Sequence, residues 1–141
     1  MNNLITQFFS VDHDRLDFLY RQYQRFKLDN RNHAKAFFDK FRDGLKQHIE
    51  WEEQLLFPAF EGAAQMHMSG PTFVMRQEHG LIQKLLDHIH EDLCLERDPQ
   101  ALETELEQLL TEHNNKEEQI LYVQCDRLIK QNNLADIFLH L

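Results

Sequence analysis

The chain has 141 residues, 42% of them apolar and 11% aromatic, which excludes a disordered composition and suits one domain with a real core. Its formal net charge of −9 argues against nucleic acid, whose phosphates demand a basic face, and leaves negative charge that can serve a cation. No apolar run approaches the roughly 18 residues of a membrane span.

Only 4 glycines and 3 prolines punctuate the sequence, which predicts few turns and long helices. A first helix is expected from about Val11 to Leu28, with Ser10 as N-cap, stopping at Asp29-Asn30-Arg31-Asn32. A second runs from about His33 to Gly62. A third opens at Gly70-Pro71, proline suiting a first helical turn, and fades at Arg97. Asp98-Pro99 opens a fourth, capped by Asp98, that lasts to about Lys130. A short amphipathic tail follows, with Leu134, Ile137, Phe138 and Leu141 at helical spacing, read as a lid on the bundle end. The fold class expected is all-α: an up-down-up-down four-helix bundle with a short C-terminal helix, residues 1–141 forming one domain.

Each helix carries a core stripe spaced by threes and fours. The first gives His13, Leu16, Tyr20 and Tyr23; the second gives Phe41, Leu45, His48, Glu52, Leu55 and Ala59. The third gives Met75, His79, Ile82, Leu86, Ile89 and Leu93; the fourth gives Leu102, Leu106, Leu109, His113, Glu117 and Ile120. A histidine therefore occupies a core position in every helix, and a glutamate joins it in two.

Those two helices share a motif. HIEWEEQLLF, from His48 to Phe57, returns 65 residues later as HNNKEEQILY, from His113 to Tyr122. Asp12-His13 is echoed by Glu78-His79, 66 residues on. The two halves of the chain thus read as helix hairpins related by an approximate two-fold axis. In such a bundle, residues equidistant from a turn share a height, because each helical residue rises about 1.5 Å. His13 and His48 are centred on the first turn, His79 and His113 on Glu96, and His48 and His79 beside Gly62. All four histidines fall near one layer.

An unpaired buried carboxylate costs several kcal/mol, and bound cations remove that cost. Residues four apart share a helix face, so His48 with Glu52 and His113 with Glu117 can each converge on a metal. Six ligands can surround one octahedral ion, but the two-fold repeat favours a pair of metals, with two histidines each and Glu52 and Glu117 as bridges. The metal ligands expected are His13, His48, Glu52, His79, His113 and Glu117. Manganese and zinc accept the same donor types as iron.

The chain resembles hemerythrin-like (HHE cation-binding) domains over essentially its whole length. The resemblance is carried by His13 in Asp-His-Asp, His48-x-x-x-Glu52-Glu53-x-x-Leu56-Phe57-Pro58, Glu78-His79-Gly80, and His113-x-x-x-Glu117-Glu118. It implies a cofactor of two iron ions, a non-haem di-iron centre bridged by carboxylates and by an oxo- or hydroxo-type group, facing an apolar pocket. The respiratory oxygen carriers have a second histidine four residues after the one on the third helix, where this chain has Gln83. They also use a longer His-to-Asp spacing where this chain has His113-x-x-x-Glu117. The resemblance is therefore to the broader group, and one imidazole fewer leaves a coordination position for water, another side chain or an incoming ligand.

Glu53 and Glu118 sit about 100° round the helix from the bridging glutamates. They are read either as half-exposed or as acceptors for a ligand histidine. Pro58 is expected to kink the second helix one turn beyond the site, since it cannot donate to the Gln54 carbonyl. Trp51, Phe57 and Met75 are read as packing residues. The remaining histidines, His33, His67, His88, His90 and His140, are assigned no part in the site. Cys94 and Cys125 are read as small buried hydrophobes.

Three functions fit such a site: reversible binding of a small diatomic gas, redox chemistry on peroxide, oxygen or nitric oxide (or repair of iron centres), and iron-dependent partner binding. Repair relatives carry a cysteine-bearing N-terminal segment, and here no cysteine precedes Cys94. Iron sensors are generally fused to output domains, whereas the bundle consumes this chain. No residue presents itself as a general acid or base; Tyr20 and Tyr23 are read as packing groups. The reading is a di-iron protein that binds O2 or NO for buffering or sensing, with a redox enzyme as the alternative. Nucleic acid and membrane are not expected partners. The N-terminus, MNNLITQFFSVDHD, lacks the marks of a signal peptide, so a cytoplasmic setting is expected.

Overall fold

The computed structural model describes residues 3–141, which contain helices and no strand. Helix α1 spans Leu4–Phe26, α2 Arg31–Trp51, α3 Phe57–Ala64, α4 Gly70–Cys94, α5 Gln100–Lys116, α6 Tyr122–Leu128 and α7 Gln131–Leu139. A five-residue π-turn, Glu52–Leu56, joins α2 to α3, and a second, Glu117–Leu121, joins α5 to α6. The four long arms are therefore α1, α2 with α3, α4, and α5 with α6, as the all-α bundle expectation required.

The helix ends follow local chemistry with some departures from expectation. The Asn30 side chain accepts the His33 N–H at 3.1 Å and caps α2, which starts at Arg31. Helix α1 starts at Leu4, and Ser10 lies inside it rather than at its cap. The capping group is distant in sequence: the Asp126 carboxylate accepts the Ile5 N–H at 2.9 Å, the Thr6 N–H at 3.1 Å and the Thr6 hydroxyl at 2.7 Å. That anchor turns Ile5 and Phe9 into the bundle, where both are fully buried. Asp98 accepts the Gln100 N–H at 3.1 Å, while Pro99 takes the position before α5. Helix α4 ends at Cys94, short of Arg97, and Glu96 turns the chain with φ 56°.

Two apolar clusters fill the bundle. One gathers Tyr23, Phe38, Phe41, Ile82, Leu86 and Leu106; the other gathers Phe9, Leu56, Phe60, Met75, Leu121 and Cys125. The four histidines and the two motif glutamates lie between the clusters along every arm. Helix α7 covers the second cluster as the tail pattern suggested, burying Leu134 and Ile137 and setting Phe138 edge-on to Phe8.

The core stripe slips by one residue at each π-turn. Leu55 and Ala59 were expected to face the core, but Leu56, Phe57 and Phe60 are the buried residues. Ile120 was expected inside and is 51% exposed, while Leu121 and Tyr122 are buried. The cause is the wider turn: the N–H of Phe57 bonds the Glu52 carbonyl and that of Tyr122 bonds the Glu117 carbonyl, each five residues back. One extra residue is absorbed, and every later side chain arrives one position late.

Pro58 accordingly follows a π-turn instead of making a simple kink. The Glu53 carbonyl, five residues before it, accepts Arg76 Nη2 at 3.5 Å instead. Cys125 is buried as expected, but Cys94 is exposed, beyond the last apolar turn of α4 and 3.6 Å from His90 Nε2.

Candidate metal centre

All six residues expected at the site converge in one buried layer. His13, His48, His79 and His113 are each 5% exposed or less, and Glu52 and Glu117 are fully buried. Two groups of donor atoms form, each within 4.8 Å of one another: Glu52, His79, His113 and Glu117 in one, and His13, His48 and Glu117 in the other. The α1–α2 hairpin supplies the histidines of one group, and α4 with α5 supplies those of the other.

Glu117 belongs to both groups, and Glu52 reaches from the first towards His48. Glu117 Oε1 lies 3.2 Å from His13 Nε2 and 3.3 Å from His113 Nε2. Glu52 Oε1 lies 3.1 Å from His79 Nε2, and Oε2 lies 3.6 Å from His48 Nε2. Each carboxylate thus lies within 4 Å of histidines from both halves of the repeat.

Four outer carboxylates orient the imidazoles. Asp12 Oδ2 accepts from His48 Nδ1 at 2.8 Å, Glu53 Oε2 from His79 Nδ1 at 2.7 Å, Glu78 Oε1 from His113 Nδ1 at 2.8 Å, and Glu118 Oε2 from His13 Nδ1 at 2.7 Å. The pattern is a closed ring, in which each arm supplies a carboxylate to the histidine of the next. With every Nδ1 turned outward to a carboxylate, every Nε2 faces the centre. Glu53 and Glu118 are partly exposed and also accept from His79 and His13. Asp12 and Glu78 were visible as the residues preceding His13 and His79, but their reach to the neighbouring arm was not.

The electrostatics show what the layer lacks. Burial opposes a charge on His48, yet Glu52 and the bond to Asp12 raise its pKa to about 10. Burial likewise opposes a charge on His79, and hydrogen bonds to Glu117, Glu52 and Glu53 raise it to about 11. Glu117 is buried, which disfavours its charge, but His113 and the surrounding hydrogen bonds hold it well below the ordinary carboxylate range. Protons held by His48 and His79 offset buried carboxylate charge. Even so, Glu52 Oε1, His79 Nε2 and Glu117 Oε2 are buried without a well-aligned hydrogen bond, although Glu52 Oε1 and His79 Nε2 lie 3.1 Å apart and Glu117 Oε2 lies 3.8 Å from the same nitrogen. Three donor atoms that face one another inside the layer without an aligned hydrogen bond, from a set of imidazoles and carboxylates, fit a cation of the kind such donors hold.

Sequence reasoning missed Tyr122. Its phenol is fully buried and donates its one proton to Glu52 Oε2 at 2.6 Å, with Glu117 Oε1 at 3.1 Å, His48 Nε2 at 3.2 Å and His13 Nε2 at 3.3 Å around the same oxygen. Burial and the two carboxylates push this phenol well above its ordinary pKa. The one available signal was the change from Phe57 to Tyr122 at the end of the repeated motif. Tyr20 and Tyr23, the tyrosines singled out instead, bond Glu107 at 2.6 Å and Glu103 at 2.5 Å further down the bundle.

The residues read as bystanders stay outside the centre. Met75 is buried in the second apolar cluster, Trp51 packs beside Phe8, and Phe57 lies parallel to the His79 ring at 5.6 Å. His33, His67, His88 and His140 are exposed, and His90 pairs with Asp39 at 3.2 Å. Gln83, one turn after His79, is half-buried.

A search of curated proteins and a search of solved structures return no match. The family model for the hemerythrin HHE cation binding domain matches residues 4–125, a span that holds all six converging residues, Tyr122 and the four outer carboxylates. The chain belongs to the hemerythrin HHE cation-binding family, and its buried His/Glu layer is a candidate metal centre.

Proposed function

We propose that the chain binds two iron ions at this layer and through them a small diatomic ligand, dioxygen or nitric oxide, which it buffers or senses. The observation that carries the reading is the pair of donor groups sharing Glu117, with inward atoms left without an aligned hydrogen bond. His13 and His48 would hold one ion and His79 and His113 the other, with Glu52 and Glu117 between them. Bound ferrous iron supplies electrons and open coordination positions for such a ligand. The protein's own part is to fix the imidazole tautomers through the carboxylate ring and to bury the layer away from water.

A cavity with His13 in its lining supports access for a small molecule. The cavity, about 260 Å³ between α1 and α5, is lined by His13, Leu16, Leu45 and Leu110 near the layer and by Tyr20 and Glu107 further out. Leu16, Phe41, Leu45 and Leu110 give it an apolar side that suits a neutral gas, while Asp17, Arg21, Gln24, Thr111 and Asn114 make the rest polar. The alternative reading, a redox enzyme acting on peroxide, oxygen or nitric oxide, draws support from Tyr122, an oxidisable phenol inside the layer. A cytoplasmic setting belongs to the same proposal; among the described residues no helix is long and apolar enough to cross a membrane.

An optical titration tests the proposal. The protein is iron-loaded, its iron counted, and the reduced form exposed to oxygen and then returned to anaerobic conditions. A charge-transfer band that appears and disappears supports reversible binding. Decay to a stable oxidised spectrum favours the enzyme, and the lack of any iron-dependent spectrum overturns both.

A further inference from the structure

The two halves of the layer are not equivalent, and the difference lies in one oxygen atom. At the end of the first motif stands Phe57, whose ring lies flat against His79. At the end of the second stands Tyr122, whose hydroxyl lies among His13 Nε2, His48 Nε2, Glu52 Oε2 and Glu117 Oε1, between 2.6 and 3.3 Å from each. Donor atoms that share one metal at about 2.1 Å stand roughly 3 Å apart, the spacing this oxygen keeps from both imidazole nitrogens. The Nδ1 atoms of these two histidines are engaged by Glu118 and Asp12, so the nitrogens facing the hydroxyl are the ones left for a metal.

We propose that Tyr122 is a direct ligand of the metal held by His13 and His48. The inference rests on the two-metal reading above and deepens it. Without Tyr122 this metal has two imidazoles and the shared glutamates; with it, the metal gains an oxygen that the metal between His79 and His113 has no counterpart for. The π-turn at Glu117–Leu121 delivers this oxygen, since it brings residue 122 onto the face that Glu117 occupies. On coordination the phenol exchanges its O–H bond for an oxygen–metal bond, and one proton leaves to solvent. Oxidised iron favours such a hard anionic oxygen donor.

The test uses the full chain loaded with ferrous ammonium sulfate, oxidised with ferricyanide, and assayed for iron per chain. Resonance Raman spectra are recorded on this protein, on protein grown with ring-deuterated tyrosine, and on Tyr122→Phe. Support is two irons per chain, a visible phenolate-to-iron band with ring vibrations that shift on deuteration, and loss of both features in Tyr122→Phe with the iron count kept. Two irons with no deuterium-sensitive vibration overturns the inference and leaves the two-metal reading standing; so does a band that survives in Tyr122→Phe. Fewer than two irons in the unsubstituted protein overturns the two-metal reading and this inference with it. If Tyr122→Phe does not fold, the deuterated native protein decides alone: a shifted phenolate vibration supports the inference and its absence overturns it.

Discussion

Asp12 Oδ2 holds His48 Nδ1 at 2.8 Å across the interface between α1 and α2, and Glu78 Oε1 holds His113 Nδ1 at the same distance between α4 and α5. Burial works against the Asp12 charge, but His48 and Arg15 hold its pKa below the ordinary value, so it serves as an anionic acceptor at neutral pH. Removing such a partner typically weakens metal affinity roughly 10–100-fold. Asp12→Ala is expected to weaken first the metal of His13 and His48, and Glu78→Ala the metal of His79 and His113. Competition against a chromophoric chelator, read as two separate binding steps, checks this. An equal loss at both steps from either variant would show that the carboxylate ring acts as one unit.

The π-turns give a second prediction. A π-turn is a costly way to build a helix and is retained mostly at functional sites. Gln119 lies in the second turn with its side chain exposed. Its deletion would let the segment close as ordinary α-helix, with Tyr122 four residues after Glu117 and still on the core face. The metal-free deletion variant should melt at higher temperature than the parent and bind metal more weakly. A lower melting temperature would mean that the turn itself packs Leu121 and Tyr122.

These turns also mark where the sequence stops being legible. The histidine layer could be read because four separate positions obey the 3.6-residue period and the rise per residue fixes their height. Glu52 and Glu117 could be read because each lies four residues from a histidine, at the first residue of its turn, before the extra residue shifts the register. Past them the period misleads: Ile120 fits an α stripe and is half-exposed, whereas Tyr122 does not fit and lies inside the centre. The start of α1 was hidden for another reason. Its cap, Asp126, sits 120 residues away, and no local pattern announces a capping group supplied by another arm.

Metal removal should expose the protons that balance the layer. His48 and His79 have folded-state pKa values raised from 6.5 to about 10 and about 11. A folded state that binds protons more tightly than the unfolded chain is stabilised fully below the unfolded pKa, and loses that contribution as pH rises through the folded value. Chelator-treated protein should therefore lose thermal stability progressively from about pH 6.5 towards pH 11. Metal-loaded protein, whose imidazoles are neutral ligands, should not lose it over that window. Loading at neutral pH should also release protons, measurable in a weakly buffered solution.

Gly44 of α2 faces the Leu16 and Arg15 side chains of α1, one turn from Asp12. A Cβ built at this position would come within 2.8 Å of Leu16 Cδ2 and 3.3 Å of the Arg15 guanidinium nitrogens. Alanine has a helix propensity about 1 kcal/mol better than glycine, so Gly44→Ala would stabilise the helix if nothing had to move. Leu16 is 3% exposed and packed in the first apolar cluster, and displacing such a side chain costs about 1–3 kcal/mol. The clash should win, with a net loss of about 1 kcal/mol on these two figures. Gly80 offers the control. It sits inside α4, and nothing lies within 4 Å of an added Cβ, so Gly80→Ala should gain up to about 1 kcal/mol. Urea unfolding of the metal-free variants measures both. A Gly44→Ala protein as stable as Gly80→Ala would show that Leu16 yields freely and that the α1–α2 spacing does not depend on the missing side chain.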